Sequence, residues 1–508
     1  MHFIKSAPLC AALVAASAAA TAATPEVQWT KLFGTAAVDQ AIAVDTDAVG
    51  NVYVTGRTAG SLDGPNAGGY DVFLRKYNPL GALQWDHQFG TSADDQSWGL
   101  AVDPSGDIVI VGDTQGRFDG SGAAQDAFVA KFDPSGNHLW TEQFRDNLAS
   151  QALDVDADMH GNLYVSGGTY RSVGGILGTT PDGFVTKFDA TGSRGWTRQF
   201  GEIFNDLAWG VSADASGNVY VSGESQNDVF LRKYDADGLL AWDREIATTG
   251  YEKSRSVSVD ELGNIFIAGN SGMAHGGVNY GRFDALVAKY DAEGSLQWVR
   301  QTGSSENDGA ARIATDGLGN AYIVGFTMGS LEGASLGSGD VLVAKYDAAG
   351  ELVWQEQLGT VEVDNGLNIV VDDFRNLYLV GTTLGNFGGA GAGRDDAFLL
   401  KLTEPMQPDL AADFNDSGAI DGEDLAAWVA YFGEDASADA DGDSDSDGAD
   451  FLVWQRQLRA DLQATAAASS VPEPSAICLV LCIAGWRIRV GRRSTSDAKQ
   501  RPPTEHAC

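Results

Sequence analysis

Cysteine is almost absent from this chain. The four cysteines lie near its two ends, at Cys10, Cys478, Cys482 and Cys508. The long segment between them therefore has no disulfide and no thiol site. Its stability must come from packing and from any metal that it binds.

Basic residues are also scarce. The chain has 33 Lys and Arg residues against 70 Asp and Glu residues, which gives a formal net charge of −37. Phosphate binding needs clustered Lys and Arg, so this balance argues against nucleic acid or anionic lipid as the main partner. It suits a soluble exported protein, or one that collects divalent cations.

The N-terminal region has the pattern of a secretory signal. Lys5 precedes an Ala/Leu/Val-rich run from Ala7 to Ala20, and small residues surround Thr21. A charged start, an apolar run and small residues at a cleavage site define such signals. A buried first helix is the alternative, and the missing polar face disfavours it. We assign residues 1–23 to a signal peptide.

A repeated unit dominates the rest of the chain. The stretch DALVAKYDAEGSLQW, from Asp284 to Trp298, recurs with small changes, and three markers recur with it at steps of 55 or 56 residues, with one step of 46. The Trp of the unit stands at positions 29, 85, 140, 196, 242, 298 and 354. A Gly that ends a GNVYVTG-like strand stands at positions 56, 112, 167, 223, 269, 325 and 381. The opening Asp stands at positions 71, 126, 182, 228, 284, 340 and 396.

Each period predicts four short strands. In the second period they are residues 99–103, 107–112, 126–133 and 138–144, rich in β-branched and aromatic residues and separated by turn sequences. Seven four-stranded units favour a β-propeller over a linear solenoid.

The ends of the repeat decide between ring and solenoid. A strand at residues 27–33 has no partner strand before it, and a strand at 396–402 has no Trp strand after it. Pairing the two closes a ring. The predicted fold class is therefore all-β, a seven-bladed β-propeller over residues 27–403 completed by its N-terminal strand.

The runs AVDxxGNxYVxG and DAFVAKYDxxG resemble the bacterial SBBP-type β-propeller repeat, and they are similar to the NHL-type repeat. The resemblance extends from Trp29 to Leu402. It implies that the AVD strand lies nearest the axis and the Trp strand outermost. It implies no reaction, because such propellers mostly bind or scaffold.

Three Asp positions recur, and their repetition favours a structural role over catalysis. One set is the opening Asp described above. The second set ends the AVD strand, at Asp47, Asp103, Asp158, Asp214, Asp260, Asp316 and Asp372. The third set lies eight residues earlier, at Asp39, Asp95, Ser150, Asp206, Glu252, Asp308 and Asp364. The alternative for the third set is a ring of carboxylates that holds cations at one mouth of the channel.

Two further features bear on activity. Trp98 and Trp209 occupy equivalent positions, where packing between blades or stacking on a sugar are the two interpretations. The propeller histidines share no period, and no GxSxG, HExxH or phosphate-loop signature occurs. We therefore predict no catalytic residue and no enzyme.

After a linker at residues 404–411, an acidic module is predicted at 412–460. The sequence DFNDSGAIDGED has the spacing of a calcium loop, with a sharp turn at Gly418, and a helix is predicted from Leu425 to Phe432. A hard cation needs six to eight oxygens, which alternate side chains and one carbonyl supply. The predicted Ca²⁺ ligands are Asp413, Asn415, Ser417, Ala419, Asp421 and Asp424.

The loop–helix pattern returns 26 residues later. Its predicted Ca²⁺ ligands are Asp439, Asp441, Asp443, Asp445, Asp447 and Asp450. Trp428 and Trp454 share the same offset in the two helices. The duplicated unit resembles the type I dockerin module, which implies a cohesin-like partner. Ser444 and Ser446 depart from that pattern, and an acidic linker is the alternative.

The C-terminal region follows a linker at residues 461–470. Residues 471–493 contain Pro-Glu-Pro, a short apolar run and an Arg cluster, and residues 494–508 form a basic and polar tail. The segment resembles the PEP-CTERM sorting signal. This implies processing by an exosortase in a Gram-negative bacterium, with membrane contact only through this segment and the propeller outside the cell.

Together these observations predict an exported binding or scaffold protein at the cell surface. Its expected partners are a cohesin-like protein or a surface polysaccharide. The alternative is an extracellular carbohydrate-active enzyme, a polysaccharide hydrolase or lyase, with its site at the mouth of the propeller.

Overall fold

The computed structural model describes residues 24–404 apart from 123–124, 145–149, 172–176, 202–204, 227, 247–250, 276–278, 332–335, 388, 390, 392 and 394, followed by 422–431, 451, 453–455 and 458. The chain divides into two compact units, Met1–Gln407 and Pro408–Cys508.

The first unit contains seven antiparallel sheets of four strands each, numbered β1–β28 in chain order. The innermost strands are β2 (Asp39–Thr46), β6 (Asp95–Val102), β10 (Ser150–Ala157), β14 (Asp206–Ala213), β18 (Glu252–Val259), β22 (Asp308–Thr315) and β26 (Asp364–Val371). The second strands are β3 (Val52–Thr58), β7 (Ile108–Thr114), β11 (Leu163–Arg171), β15 (Val219–Ser225), β19 (Ile265–Ser271), β23 (Ala321–Thr327) and β27 (Asn376–Thr383).

The third strands are β4 (Asp71–Tyr77), β8 (Asp126–Phe132), β12 (Leu177–Phe188), β16 (Asp228–Tyr234), β20 (Asp284–Tyr290), β24 (Asp340–Tyr346) and β28 (Asp396–Thr403). The outer strands are β5 (Leu83–Phe89), β9 (His138–Gln143), β13 (Arg194–Phe200), β17 (Leu240–Ile246), β21 (Leu296–Thr302), β25 (Leu352–Leu358) and, for the last blade, β1 (Glu26–Phe33). Blades 1 to 7 follow the order of their innermost strands, which confirms the predicted seven blades.

Both ends of the repeat build the last blade. Strand β1 pairs antiparallel with β28, with Trp29 opposite Lys401. Each innermost strand contacts those of the neighbouring blades, and β2 contacts β26, so the ring is closed. The AVD strands therefore surround a central channel and the Trp strands lie at the rim, as the sequence predicts.

The marker Gly of the second strand is required by a bulge. In every blade the innermost strand shifts register at its third to fifth residue, as between Ala41 and Ala43. The bulge brings the Gln40 carbonyl against Gly56, where a Cβ would overlap the oxygen, and the other six marker glycines have the same contact. A side chain cannot fit there, which explains the repetition.

The hydrophobic core lies between adjacent blades. One buried cluster, for example, joins Val109 and Val129 of blade 2 to Val165 and Phe188 of blade 3. At the rim, Trp196 packs against the turn glycine of the next blade, Gly238, whose φ is +75°. The repeated Trp–Gly pair thus couples neighbouring blades.

The two faces of the ring differ. One face carries the hairpins after the first and third strands, and we call it the tight-turn face. The opposite face carries the connections after the second strands and those that lead from each outer strand to the next blade, and we call it the loop face. Because the innermost strands start at the loop face, their first residues surround the channel mouth on that side.

In the second unit, helix α1 spans Gly422–Tyr431. It starts three residues before the predicted Leu425 and places Asp424 in its first turn, where the residue is buried. The ring of Phe451 lies 5.0 Å from Trp428 and 5.6 Å from Trp454, beside buried Val453. In the parts of the chain that the structure describes, no helix is long and apolar enough to cross a membrane.

Candidate binding site at the mouth of the channel

The Asp set that ends the innermost strands is structural. Asp47 Oδ1 accepts the backbone amides of Val49 and Asn51, and Oδ2 accepts the Asn51 side-chain amide and the Tyr53 hydroxyl. Asp158 repeats the arrangement, and although burial opposes ionisation, the donors hold the pKa of its carboxyl below its ordinary value. These carboxylates close the tight turns, as their sequence position predicts.

The third Asp set does not form an open ring of carboxylates. Asp95 is fully buried, and its Oδ2 accepts the backbone amide and the hydroxyl of Thr91. A Cβ on Gly90 would lie 2.6 Å from Asp71 Oδ1 and 2.8 Å from Asp95 Oδ2, so an opening Asp and an Asp of the third set meet inside the protein. Burial raises the pKa of Asp95, partly offset by its hydroxyl and amide donors. The alternative of a cation ring at the mouth is wrong, because these side chains are buried.

The blades differ from one another at the mouth on the loop face. Two positions vary there: the fourth residue of the innermost strand, and the residue directly after the marker Gly. The fourth residues are Ile42, Trp98, Leu153, Trp209, Arg255, Ala311 and Leu367. The residues after the marker Gly are Arg57, Asp113, Gly168, Glu224, Asn270, Phe326 and Thr382. Polar groups concentrate in two places.

The first mouth network joins blades 1 and 2 and comprises Gln40, Arg57, Gln96, Trp98 and Asp113. The Arg57 guanidinium donates to the side-chain oxygens of Gln40, at 2.8 Å, and of Gln96. Trp98 Nε1 donates to Asp113 Oδ1 at 2.6 Å. Burial raises the pKa of Asp113, which is 1% exposed, and its donors oppose that rise. Most polar groups of the first mouth network therefore have hydrogen-bond partners inside the network.

The second mouth network joins blades 4 and 5 and comprises Trp209, Glu224, Tyr251, Lys253 and Arg255. Glu224 Oε1 accepts Trp209 Nε1 at 3.3 Å and Lys253 Nζ at 3.0 Å, and Oε2 accepts the Tyr251 hydroxyl at 3.1 Å. The Lys253 ammonium lies 4.3 Å and the Arg255 guanidinium 5.5 Å from the centre of the Trp209 ring. This network presents Tyr251 and Arg255 to solvent.

Carboxylates line the channel beyond the mouth. Asp45 Oδ2 accepts the backbone amide of Val102 in the next blade at 2.7 Å, and Asp156 Oδ2 accepts that of Ala213 at 2.8 Å. These bonds satisfy amides on the open edges of innermost strands. Burial, only partly offset by the amide donors, raises the pKa of Asp45 to about 7 and that of Asp156 to about 6.

A separate cleft lies at the rim between blades 2 and 3. Phe118, Arg194 and residues 141–144 line a cavity of about 520 Å³. The Arg194 guanidinium covers the Phe144 ring at 4.1 Å and lies 3.5 Å from Glu142 Oε1. The cleft therefore already contains its own cation and carboxylate, and it lies away from the channel.

The sequence-predicted site residues have different outcomes. Trp98 and Trp209 lie at the mouth, where each indole donates to a carboxylate of its own blade, and stacking on a sugar stays a prediction. Asp424 is the one predicted calcium ligand among the described residues. The other predicted ligands lie outside the described residues: Asp413, Asn415, Ser417, Ala419, Asp421, Asp439, Asp441, Asp443, Asp445, Asp447 and Asp450.

Sequence reasoning missed the charged residues of the two mouth networks that follow a marker Gly. Arg57, Asp113 and Glu224 each follow a marker Gly, and only their departure from the repeat distinguishes them. A comparison of the seven residues after that Gly would have found them. The four propeller histidines remain apart in the structure: His87 and His138 on outer strands, His160 in a tight turn and His275 in a loop.

Parts of this sequence are similar to known proteins. The model of the SBBP β-propeller repeat matches residues 28–63, 297–332 and 353–388. The regulatory protein FlaEY of Caulobacter vibrioides is 26% identical over 197 residues, which cover 34% of this chain and 20% of FlaEY. The match thus spans about a fifth of that relative.

Solved structures with a similar backbone arrangement include two enzymes. A fungal alcohol oxidase of the AA5 family, in complex with copper, has a TM-score of 0.43 at 17% identity and covers 75% of this chain and 76% of its own. The polysaccharide lyase Uly1 has a TM-score of 0.40 at 15% identity and covers 73% and 92%. Their activities are properties of those proteins. The chain described here is a seven-bladed β-propeller that carries SBBP-type repeats.

Proposed function

We propose that this protein is an exported, non-enzymatic binding protein whose propeller holds an extracellular saccharide at the channel mouth on the loop face. The observation that carries the proposal is the contrast between mouth and scaffold. The strand-end carboxylates and the marker glycines repeat from blade to blade, whereas the mouth has two polar and aromatic networks that occur once each.

The chemistry of the mouth suits a polyhydroxylated ligand. Sugars need hydrogen-bond donors and acceptors together with aromatic surface. The two networks provide amide, carboxylate, guanidinium and phenol groups beside two indoles. The net charge of −37 disfavours phosphate-rich partners.

The remaining parts of the proposal concern the second unit and the termini. A calcium-stabilised docking module would display the propeller or attach it to a cohesin-like partner, and the terminal segments would export and sort the protein. The packing of Trp428 on Phe451 supports a paired-helix module, and buried Asp424 in the first turn of α1 fits the last position of a calcium loop.

A glycan array probed with the purified protein tests the mouth. We expect saccharide binding that weakens in the Lys253→Gln variant, and equal binding in the control Lys76→Gln, whose ammonium donates to the Pro134 carbonyl on the tight-turn face. Equal binding by both variants would contradict a site at the mouth. Turnover of any bound polysaccharide would overturn the non-enzymatic proposal in favour of the hydrolase or lyase alternative.

Calcium titration of the whole protein tests the module separately. Metal binding that is coupled to folding should increase helical circular dichroism on adding Ca²⁺, and a chelator should reverse the change. The Asp424→Ala variant should need more Ca²⁺, while Glu351→Ala in the propeller should respond as the wild type. A spectrum that does not change with Ca²⁺ would remove the metal from the proposal.

A further inference from the structure

The charges of the second mouth network do not balance. Glu224 is 11% exposed, and its carboxylate already accepts three donors, from Trp209, Tyr251 and Lys253. The Lys253 charge is matched by the same carboxylate at 3.0 Å. Arg255 is therefore the surplus cation of the network.

Arg255 is placed to receive a ligand. It is exposed, and it makes no ion pair within 4 Å to any residue that the structure describes. Its guanidinium lies 5.5 Å from the Trp209 ring centre, a contact that holds the cation while leaving N–H donors for another partner.

A second guanidinium adds to the positive charge. Arg312 Nη1 contacts the backbone oxygen of Arg255 at 3.4 Å and pairs with Asp154 Oδ2 at 3.0 Å. Burial and the like charge of Arg312 both lower the pKa of Arg255, against the attraction of Glu224. An anion between the two guanidiniums would relieve the repulsion between like charges.

The first mouth network offers no such place. There the Arg57 guanidinium is held by the side-chain oxygens of Gln40 and Gln96 and covers the Tyr70 ring at 4.6 Å. Asp113 supplies a compensating carboxylate nearby, and its charge contributes to the balance with Arg57. Of the two networks, only the one formed by blades 4 and 5 therefore carries surplus positive charge.

We propose that Arg255 anchors a subsite for a carboxylate-bearing sugar, a uronic acid residue of a polysaccharide. A guanidinium binds a carboxylate through two parallel hydrogen bonds, and a monoanion matches a single surplus charge. Tyr251, which is 39% exposed, offers an aromatic surface beside it for the sugar ring. This inference rests on the proposed saccharide binding at the mouth and adds the chemical class of the ligand.

Calorimetric titration of the full chain tests the inference with three probes: a uronic acid tetrasaccharide, the same tetrasaccharide with its carboxyl groups reduced to alcohols, and an acidic tetrapeptide. We expect the uronate to bind, with affinity that falls as salt is added. The Arg255→Gln variant should bind it at least about tenfold more weakly. Arg255→Lys, which keeps the charge without the planar fork, should recover part of the loss.

Arg375→Gly is the matched control. It removes the same charge from the tight-turn face, at a position with φ of +59° where the other six blades have Gly. It should bind the uronate as the wild type does. Circular dichroism of each variant checks that the propeller remains folded.

The possible outcomes distinguish a failure of the uronate subsite from a failure of the proposed saccharide binding. Equal binding of the uronate by wild type and Arg255→Gln, or equal binding of the reduced tetrasaccharide, would overturn the uronate subsite and leave saccharide binding intact. If the peptide alone binds and Arg255→Gln abolishes that binding, both the sugar subsite and the proposed function fail. If no saccharide binds at all, both fail as well.

Discussion

Arg312 and Asp154 form an ion pair across the central channel, with Nη1 3.0 Å from Oδ2. Arg312 belongs to blade 6 and Asp154 to blade 3, so the pair bridges opposite sides of the ring. The two side chains are only 12% and 14% exposed. Burial raises the pKa of Asp154, and the nearby charge of Arg312 opposes that rise. The pair therefore crosses the channel below the mouth.

A double-mutant cycle measures this bridge. Removing either partner leaves a buried charge without compensation, which costs more than removing both. For Arg312→Met and Asp154→Asn we expect a coupling energy of about 1–3 kcal/mol in urea unfolding. The exposed pair Arg300–Glu351, with its 3.4 Å contact, is the control and should couple by less than about 1 kcal/mol. Additive effects of the first two changes would mean that the bridge does not form in solution.

At the last blade, the Glu404 side chain takes the role that a hairpin carbonyl has in the other blades. In other blades a turn carbonyl accepts the rim Trp and the Lys of the third strand, as Ala348 O does for Trp298 and Lys289. In the last junction Glu404 accepts Trp354 Nε1 and Lys345 Nζ, both at 2.7 Å.

Replacing Glu404 by Ala should therefore destabilise the ring. The change leaves an ammonium and an indole without their acceptor, which costs about 1–3 kcal/mol. The exposed Glu351, changed to Ala, should cost less than about 1 kcal/mol. Urea unfolding compares the two variants, and equal losses would show that Glu404 does not seal the junction.

The rim glycines are tested by a matched pair of alanine substitutions. Gly238 has φ of +75°, and a Cβ there would lie 2.5 Å from the Trp196 ring. Gly120 has φ of +74° with nothing within 4 Å of the added Cβ. Gly120→Ala should cost only the backbone strain of about 1–2 kcal/mol, and Gly238→Ala a further 1–3 kcal/mol or so from overpacking. Thermal unfolding distinguishes them, and equal shifts in Tm would contradict the Trp–Gly coupling.

The channel carboxylates give a pH dependence with a defined sign. Burial raises the pKa of Asp45 to about 7, so the folded protein holds this proton more tightly than the unfolded chain. The stability from the protonated form is fully present below about pH 4 and is lost as the pH rises towards 7.

The Asp45→Asn variant has no ionisable carboxyl at this position, so its stability lacks this dependence on pH. The free energy of unfolding of the variant, relative to wild type, should therefore rise between pH 4 and 7. Asp63→Asn removes a carboxylate from an exposed loop and is the control for the change of charge alone. A constant difference for Asp45→Asn would show that the pKa of the Asp45 carboxyl is not raised in the folded protein.

The repeat made the scaffold predictable. Gly56 recurs because a bulge leaves no space for a side chain, and Gly81 because a Cβ there would meet the Trp29 ring. Such local requirements are visible as periodicity in one sequence. The unpaired ends then determined the closure, which β1 and β28 confirm.

The binding site could not be predicted in the same way. The contact of Glu224 with Lys253 joins two blades, and that of Arg312 with Asp154 crosses the channel, so neither follows from spacing within one period. A periodic pattern identifies what every blade needs. Residues that serve one ligand break the pattern, and only the folded ring shows which of them meet.

Hydroxyl-radical footprinting with a bound polysaccharide tests the central claim, that the mouth on the loop face is the binding site. Tyr251 at the mouth and Met159 on the tight-turn face are both exposed, at 39% and 62%, and both side chains are oxidised readily. If the mouth is the binding site, the polysaccharide should protect Tyr251 and leave oxidation of Met159 unchanged. Protection of Met159 with Tyr251 unchanged would contradict that claim.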